Sequence, residues 1–438
     1  MPAASRTRAP VPASLSMTAR GKGLLLFAVA AGVLGIWTRA TPLLVAAQGT
    51  LLLLAAMAAW ARIGSRGISL SRSHPGWAFE DEVLTVRLGV TNRSRLPLRW
   101  LEIEDRFPAD RETEKPLCFP GPLAAGERAM LAYAAPCGKR RGGYKLGPAA
   151  VILRDPLGAF EARATAGGLT DLTVFPRTAP ILRLPLAGMA RWDNVDTETV
   201  PKAGSSLNFS GTREYRQGDS LKFIHWGATA HTGKLVVKEF ELNVATEVSV
   251  FLDAHYYAVK GMGRESTFEY GVKAAASVAR HAAARGSQVR FVCTSKRPLE
   301  IPLGRGDYHL LGILRSLTTV QPDGPEPLDR VLRRWIARIE TASTVVLVMN
   351  SVKLDLKAYV EAFALLKARQ VRILLVLIDD NTFLNLWENA QSKKVQALLL
   401  PDVIRLLVSM GVTVYTLAQG DDLTARFEKP YAYTPTAG

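Results

Sequence analysis

The segment 211–234 brings together, in a short stretch, side chains that can carry charge and transfer protons. It reads GTREYRQGDSLKFIHWGATAHTGK and contains Arg213, Asp219 and His225. A histidine can act as a general base when a partner orients it and a nucleophile lies within reach. One hypothesis is therefore a hydrolytic site centred on His225 and Asp219.

The same segment supports a structural interpretation. Arg213 and Asp219 carry opposite charges and can form an ion pair, while Ile224 and Trp226 are large enough to pack beneath it. Spacing alone supplies neither a nucleophile nor an orienting partner for a base. We therefore expect a clamp between two domains, and we expect that the chain is not an enzyme.

A phosphate-binding loop is a third interpretation, because residues 227–234 read GATAHTGK. That motif needs four residues between its glycines, and a Ser or Thr after the Lys to bind magnesium. Here five residues separate Gly227 from Gly233, and Leu235 follows Lys234. The segment does not predict nucleotide binding, and we expect no cofactor.

The net charge of the chain restricts the classes of partner that it can attract. The chain has 438 residues, with 55 Lys and Arg against 39 Asp and Glu, which gives a net charge of +16. Excess cations attract nucleic acid or anionic lipid. The one tight cluster, Lys139 to Arg141, lacks interleaved aromatic residues, so we expect an anionic membrane surface and no nucleic acid. The three cysteines are not spaced as metal ligands.

Two uncharged apolar runs, 24–37 and 43–61, lie near the N-terminus. With its flanks, each approaches the length of about 20 residues that crosses a bilayer. Basic residues flank the outer ends, whereas the connection carries only Arg39, so the positive-inside rule places both ends in the cytoplasm. We predict a basic cytoplasmic tail at 1–22 and a multi-pass transmembrane hairpin at 23–62 in the inner (plasma) membrane. The alternative for the first run is a secretory signal.

Downstream of the hairpin the periodicity changes twice. Residues 68–177 contain short alternating segments separated by Gly, Pro and Asn, which is typical of an antiparallel β-sandwich. Residues 241–423 alternate near-continuous apolar strands with helices, which predicts a mainly parallel α/β sheet covered on both faces. A linker at 178–240 carries the charged segment, and 424–438 is expected to be a C-terminal tail. Both soluble domains are expected in the cytoplasm.

The charged segment resembles the signature of the bacterial family known as domain of unknown function 58. The family pattern is Gly-x-Arg-x-Tyr, then Gly-Asp, then Ile-His-Trp, then an alanine-rich turn that ends in Gly. The stretch RGGYKLGPAAVILRDPLGAF at 141–160 and the N-terminal hairpin also resemble this family. The signature positions are Gly211, Arg213, Tyr215, Gly218, Asp219, Ile224, His225, Trp226 and Gly233.

This resemblance implies a von Willebrand factor A-like C-terminal domain. Such domains often hold a divalent cation through Asp-x-Ser-x-Ser after the first strand, because hard cations prefer carboxylate and hydroxyl oxygens. Here His255 and Tyr257 replace the serines after Asp253, and Asn350 and Ser351 stand where a Ser-Asp pair is expected. The site is therefore degenerate: Asp253 is a weak candidate ligand, and we expect no bound metal.

The resemblance also implies partners, because members of the family are often encoded beside MoxR-type AAA+ ATPases and transglutaminase-like membrane proteins. We therefore predict a membrane-anchored, cytoplasmic-facing interaction or assembly factor with a chaperone-like role beside such an ATPase. The hydrolytic enzyme and a nucleic-acid-binding membrane protein are the alternatives.

Overall fold

The computed structural model describes residues 2–4, 11–119, 121–186, 206–216, 221–243, 246–350, 356–383 and 390–431. The chain divides into two compact units, Met1–Phe175 and Pro176–Gly438. The division falls close to residue 177, where the sequence predicts the end of the β-rich domain.

Two antiparallel helices, α1 (Ala19–Thr38) and α2 (Thr41–Arg66), stand near the N-terminus. The Thr18 side chain caps α1, and Arg39 ends it in the left-handed conformation at φ 52°. The helices approach closely at Gly35, where an added Cβ would lie 3.0 Å from a leucine side chain of α2. Both helices are long and apolar enough to cross a membrane.

The remainder of the N-terminal unit is built from strands. Its sheets have the orders β1-β3-β5-β8, β2-β11-β10-β6-β7 and β4-β12-β9. The strands are β1 (Pro2–Ala4), β2 (Val11–Met17), β3 (Ile68–Pro75), β4 (Trp77–Phe79), β5 (Val83–Asn92), β6 (Leu101–Arg106), β7 (Glu114–Cys118), β8 (Arg128–Pro136), β9 (Gly142–Leu146), β10 (Ala149–Arg154), β11 (Phe160–Ala166) and β12 (Thr170–Phe175).

One apolar core joins these sheets. Side chains alternate between buried and more exposed positions along β5 and β6, because successive residues of a strand point to opposite faces. The core takes Leu88 from β5, Ile103 from β6 and Val174 from β12, one strand from each of the three sheets. The β-rich character that the sequence predicts for this region is confirmed.

Residues 2–4 and 11–22 form regular elements where the sequence predicts a tail. β1 pairs with β3, and β2 pairs antiparallel with β11, so that Met17 lies opposite Phe160. The chain then enters α1 directly at Ala19. The partners of these strands are remote in sequence, which is why local periodicity does not predict them.

The C-terminal unit begins with a β-ribbon and continues as alternating strands and helices. Short 3-10 turns lie at Leu221–Phe223, Tyr256–Ala258, Ile336–Arg338 and Asp380–Thr382. The longer elements are β13 (Ser206–Glu214), α3 (Trp226–Thr232), β14 (Val236–Asn243), β15 (Glu247–Leu252), β16 (Gly261–Met262), β17 (Glu265–Ser266), α4 (Thr267–Ala284), β18 (Gln288–Cys293), β19 (Leu299–Gly304), α5 (Gly306–Leu317), α6 (Leu328–Trp335), β20 (Thr344–Asn350), α7 (Leu356–Ala368), β21 (Arg372–Ile378), α8 (Ala390–Ser409), β22 (Thr413–Leu417) and α9 (Leu423–Glu428).

The main sheet has the order β19-β18-β15-β20-β21-β22. Every neighbouring pair is parallel except β18 with β19, which is antiparallel. Every residue of β20 is buried, as expected for a central strand covered on both faces. The mainly parallel sheet predicted from the sequence is confirmed, with one antiparallel strand at its edge.

The α/β region also continues past residue 423, where the sequence predicts a tail. Helix α9 buries Phe427 against Tyr415 of β22, with ring centroids 5.5 Å apart. The backbone N–H of Tyr431 then donates to the carbonyl of Val414 at 2.8 Å. Six residues are too few to show helical periodicity clearly, so the sequence does not predict this helix.

Candidate functional site

The signature segment is carried by the ribbon of β13 and β14, which pair antiparallel with a register shift between Phe209 and Gly211. Backbone contacts at three points join residues 215, 224 and 225 to residues 235–237. The Tyr215 N–H donates to the carbonyl of Leu235 at 2.8 Å, the His225 N–H donates to that of Val236 at 2.8 Å, and Ile224 forms a bridge to Val237. The described parts of the signature are thus held to β14 and its start by backbone hydrogen bonds.

The two apolar signature residues have different environments. Ile224 is 4% exposed, as the clamp hypothesis requires. Trp226 is 67% exposed, so the expectation that it packs beneath an ion pair is wrong. Trp226 is the first residue of α3, a helix of seven residues that buries none of its side chains. The indole of Trp226 therefore faces solvent.

Two further apolar side chains accompany Trp226 at the surface. Leu221, in the 3-10 turn before it, is 66% exposed, and Leu235, just before β14, is also exposed. Sequence reasoning missed both, because an isolated leucine gives no signal of exposure. Residues 221–235, the end of the signature and the residue that follows it, therefore present three large apolar side chains to solvent.

His225 has a structural role in this segment. Its Nδ1 accepts a hydrogen bond from the backbone N–H of Ala228 at 3.1 Å and so caps α3. Gly233 ends the same helix at φ 67°, a left-handed conformation that favours glycine. The histidine and the final glycine of the signature thus define the two ends of one short helix.

Glu214 and Lys234 are exposed charged residues of the signature segment. Lys234 Nζ contacts Glu214 Oε1 at 2.7 Å, and this hydrogen bond lowers the pKa of Glu214 and raises that of Lys234. The Arg213 guanidinium donates to the carbonyl of Glu214 at 3.2 Å. Gly218 and Asp219 lie outside the described residues, so the pair between Arg213 and Asp219 stays a prediction.

A second candidate site is the carboxyl edge of the main sheet beside β15. The chain continues to β18 on one side of this strand and returns to β20 on its other side, so the strand order reverses here. Ligands of open α/β sheets bind at such a point. Asp253 follows β15, and its Oδ1 accepts from the His255 N–H at 3.0 Å and the Thr294 hydroxyl at 3.3 Å. Thr294 Oγ1 in turn accepts from the Ala254 N–H at 2.7 Å. Burial raises the pKa of Asp253.

These contacts use the carboxylate within the fold. In the ranges that the structure describes, no three His, Cys, Asp or Glu side chains converge as metal ligands. The residues that replace the expected serines form a ring cluster instead, with the centroids of Tyr256 and Tyr257 4.0 Å apart and that of His255 4.9 Å from Tyr256. Asn350, at the end of β20, is buried, and Ser351 lies outside the described residues.

The basic cluster at 139–141 is not a uniform solvated patch. Arg141 is buried, and its backbone N–H donates to Glu80 Oε1 at 2.7 Å. Only part of the cationic run is therefore available to an external anion.

Comparison with known proteins bears on the second unit above all. Residues 211–382 match the model of a family described as "Protein of unknown function DUF58". The uncharacterized protein YeaD of Bacillus subtilis (strain 168) is 24% identical over 263 residues, covering 58% of this chain and 63% of the relative. This chain thus spans less than two thirds of that relative's length.

Solved structures give only remote likenesses. The CARDB domain of a Pyrococcus furiosus protein is 13% identical, with a TM-score of 0.18, and covers 24% of this chain and 86% of its own. The sporulation control protein Spo0M of Bacillus subtilis is 12% identical, with a TM-score of 0.16, and covers 25% and 49%. Scores this low carry no conclusion about fold or function.

Proposed function

We propose, from the premise that this chain belongs to the DUF58 family through residues 211–382, that it is a membrane-anchored protein-interaction module. The hairpin of α1 and α2 is the anchor, and the signature segment is the contact surface. The basic flanks of the hairpin favour the cytoplasmic face of the inner membrane for both soluble units. The function needs no metal and no cofactor.

The observation that carries this proposal is the exposure of Leu221, Trp226 and Leu235 within residues 221–235, whose backbone is held by hydrogen bonds. Removing apolar surface from water is favourable, so large apolar groups held at a surface favour association. Tryptophan in particular is enriched among the residues that dominate binding energy. The signature is thus better suited to recognition than to holding two domains together.

The resemblance to DUF58 proteins suggests the class of partner, a MoxR-type AAA+ ATPase, with a transglutaminase-like membrane protein as a further one. A von Willebrand factor A-like identity for the α/β domain fits the sheet. When the six strands of this sheet are numbered along the chain, their spatial order is 3-2-1-4-5-6, and only strand 3 is antiparallel. In place of a cation, its carboxyl edge offers the exposed rings of Tyr256 and Tyr257.

The test is binding of the full chain, in detergent or nanodiscs, to the purified MoxR-type ATPase of the same organism. Trp226→Ser should weaken the Kd by about 30-fold, the effect of losing a residue worth about 2 kcal/mol. Its Tm should stay unchanged, because the indole is exposed. Tyr308→Ser is the matched control: this ring on α5 is 92% exposed, and its loss should change neither quantity.

Two results would contradict the proposal. A large fall in Tm for Trp226→Ser would indicate that Trp226 is a structural residue, as the clamp hypothesis holds. Unchanged binding by a stable Trp226→Ser protein would exclude the signature as the contact surface for this ATPase.

A further inference from the structure

The position of the bilayer surface follows from the lengths of the two helices. At 1.5 Å per residue, the 20 residues of α1 span about 30 Å, the thickness of the hydrocarbon core. Ala19 therefore lies at the interface with the headgroups. The helix α2 has 26 residues and runs about 9 Å further. Its last turns are packed on the β-rich region, since Ala61, Gly64 and Ser65 are buried.

The turn between β10 and β11, residues 155–158, is fixed at this same level. The Thr18 hydroxyl, at the start of α1, donates to the carbonyl of Gly158 at 2.6 Å, and the Thr18 N–H donates to that of Ala159 at 2.9 Å. Gly21 lies so close that an added Cβ would stand 2.3 Å from the Ala159 oxygen. The turn is thus part of the base of the hairpin.

The tip of this turn is apolar and exposed. Leu157, within this turn, is 43% exposed, and the buried Asp155 at the start of the turn fixes its backbone. One carboxylate oxygen of Asp155 accepts from the Leu157 N–H at 2.8 Å, and the other accepts from the Phe160 N–H. The exposed side chain is therefore presented by a fixed backbone.

Exposed basic side chains lie at the base of both helices. Arg20 lies over the turn, its Nη1 3.5 Å from where a Cβ on Gly158 would stand. Lys22 follows on α1, and Arg62 and Arg66 lie on the last turns of α2; all four side chains are exposed. Apolar side chains on the outer faces of both helices end at this level, so the patch continues the lipid-facing surface of the hairpin.

We propose that this base patch, Leu157 with Arg20, Lys22, Arg62 and Arg66, is a second membrane contact. The leucine enters the headgroup region, and the cations bind the phosphates of anionic phospholipids. Leucine gains by leaving water, and each Lys or Arg near an anionic surface adds electrostatic attraction. The contact holds the β-rich region against the bilayer. It rests on the proposed membrane anchor and goes beyond it, because a hairpin alone does not require the soluble region to touch lipid.

The test uses the full chain in vesicles of phosphatidylcholine with and without phosphatidylglycerol. A nitroxide label is placed at Leu157→Cys in a Cys118→Ser background, since the other two cysteines are buried. Collisions with oxygen report lipid, and collisions with a water-soluble nickel chelate report solvent. Leu26→Cys on α1 is the lipid control, and Val83→Cys is the aqueous control. Val83 lies at the end of β5 remote from Asn92, which pairs with Ile68 after the hairpin.

The label at residue 157 should favour oxygen over the chelate far more than the label at 83, and the ratio should rise with phosphatidylglycerol. The added Arg20→Gln/Lys22→Gln pair should abolish that rise, whereas Arg87→Gln/Lys145→Gln, two exposed cations outside the patch, should leave it intact. A label at 157 as aqueous as that at 83, with 26 in lipid, overturns the contact and leaves the anchor standing. Aqueous labels at both 26 and 157 overturn the anchor itself.

Discussion

Arg72 and Asp105 form an ion pair from which water is excluded, since neither side chain has any exposed surface. The guanidinium also donates to the carbonyls of Leu146 at 3.3 Å and Gly168 at 2.8 Å, and the carboxylate accepts from the Tyr133 hydroxyl at 2.7 Å. Burial, followed by the charge of Asp105, raises the pKa of Tyr133 and keeps it neutral. At the scale of single residues, this network ties strands of different sheets together.

Removing one member of the pair should be costly. Asp105→Ala leaves the Arg72 charge buried without its partner, which typically costs about 3–5 kcal/mol. Glu326→Ala is the control, because its pair with Arg334 is solvent-exposed and such pairs contribute about 0–1 kcal/mol. Thermal unfolding of the full chain in detergent measures both. Equal shifts in Tm would show that the buried network is not important for stability.

Asp253 should make stability depend on pH in a defined direction. Burial raises its folded-state pKa above 3.8, so the carboxyl's favourable contribution is present at low pH and is lost as pH rises through the folded pKa. Asp253→Asn keeps an acceptor for His255 and Thr294 without the charge. The variant should therefore have the higher Tm at neutral pH, and the difference should vanish on acidification.

The exposed Asp307→Asn provides the matched loss of charge on the same unit. A Tm difference for Asp253→Asn that persists unchanged to low pH would mean that the carboxylate is not penalised by the fold. A lower Tm of Asp253→Asn than of the unaltered protein at neutral pH would show that the ionised carboxylate of Asp253 stabilises the fold.

At the scale of elements, the periodicity of apolar residues predicts those strands and helices that pack against a single core. The buried strand β20 and the helix α7 follow the alternation of apolar strands and helices that the sequence predicts for residues 241–423. The antiparallel strand β19 was missed, because only part of its surface is buried and Pro302 interrupts the pattern. Strand β2 was missed because its partner β11 lies far along the chain.

The signature shows the same limit. The sequence identified its residues, but whether Ile224 or Trp226 is buried depends on neighbours that only the folded ribbon supplies. Ile224 bridges to Val237 and is buried, whereas Trp226 begins a short helix and is exposed. A hydrophobic residue type alone therefore predicts neither outcome, which is why the clamp hypothesis failed at Trp226.

The docking of α1 on the β10–β11 turn gives a prediction at this scale. Gly21→Ala places a Cβ 2.3 Å from the Ala159 carbonyl oxygen, so backbone must shift, at a typical overpacking cost of about 1–3 kcal/mol. Gly23→Ala is the matched control, because nothing lies within 4 Å of its Cβ. Protease sensitivity and the Tm of the full chain measure both. Equal behaviour of the two variants would contradict the docking.

At the scale of the whole molecule, the chain enters and leaves its hairpin beside the same β-rich region. Strand β2 precedes α1 and pairs with β11, which follows α2. In the proposed membrane anchor, both ends of the hairpin therefore lie on one side of the bilayer. The proposed interaction with a cytoplasmic ATPase requires this side to be the cytoplasm, as the basic flanks predict.

Reporter fusions test this requirement most directly. Alkaline phosphatase, active only outside the cytoplasm, is inserted beside Arg39 in the hairpin connection or fused after Gly438, and a fluorescent protein is fused after Gly438 in parallel. We expect an active phosphatase at Arg39, an inactive one at Gly438 and a fluorescent C-terminal fusion. An active phosphatase at Gly438 would place the signature surface outside the cytoplasm and contradict the proposed function.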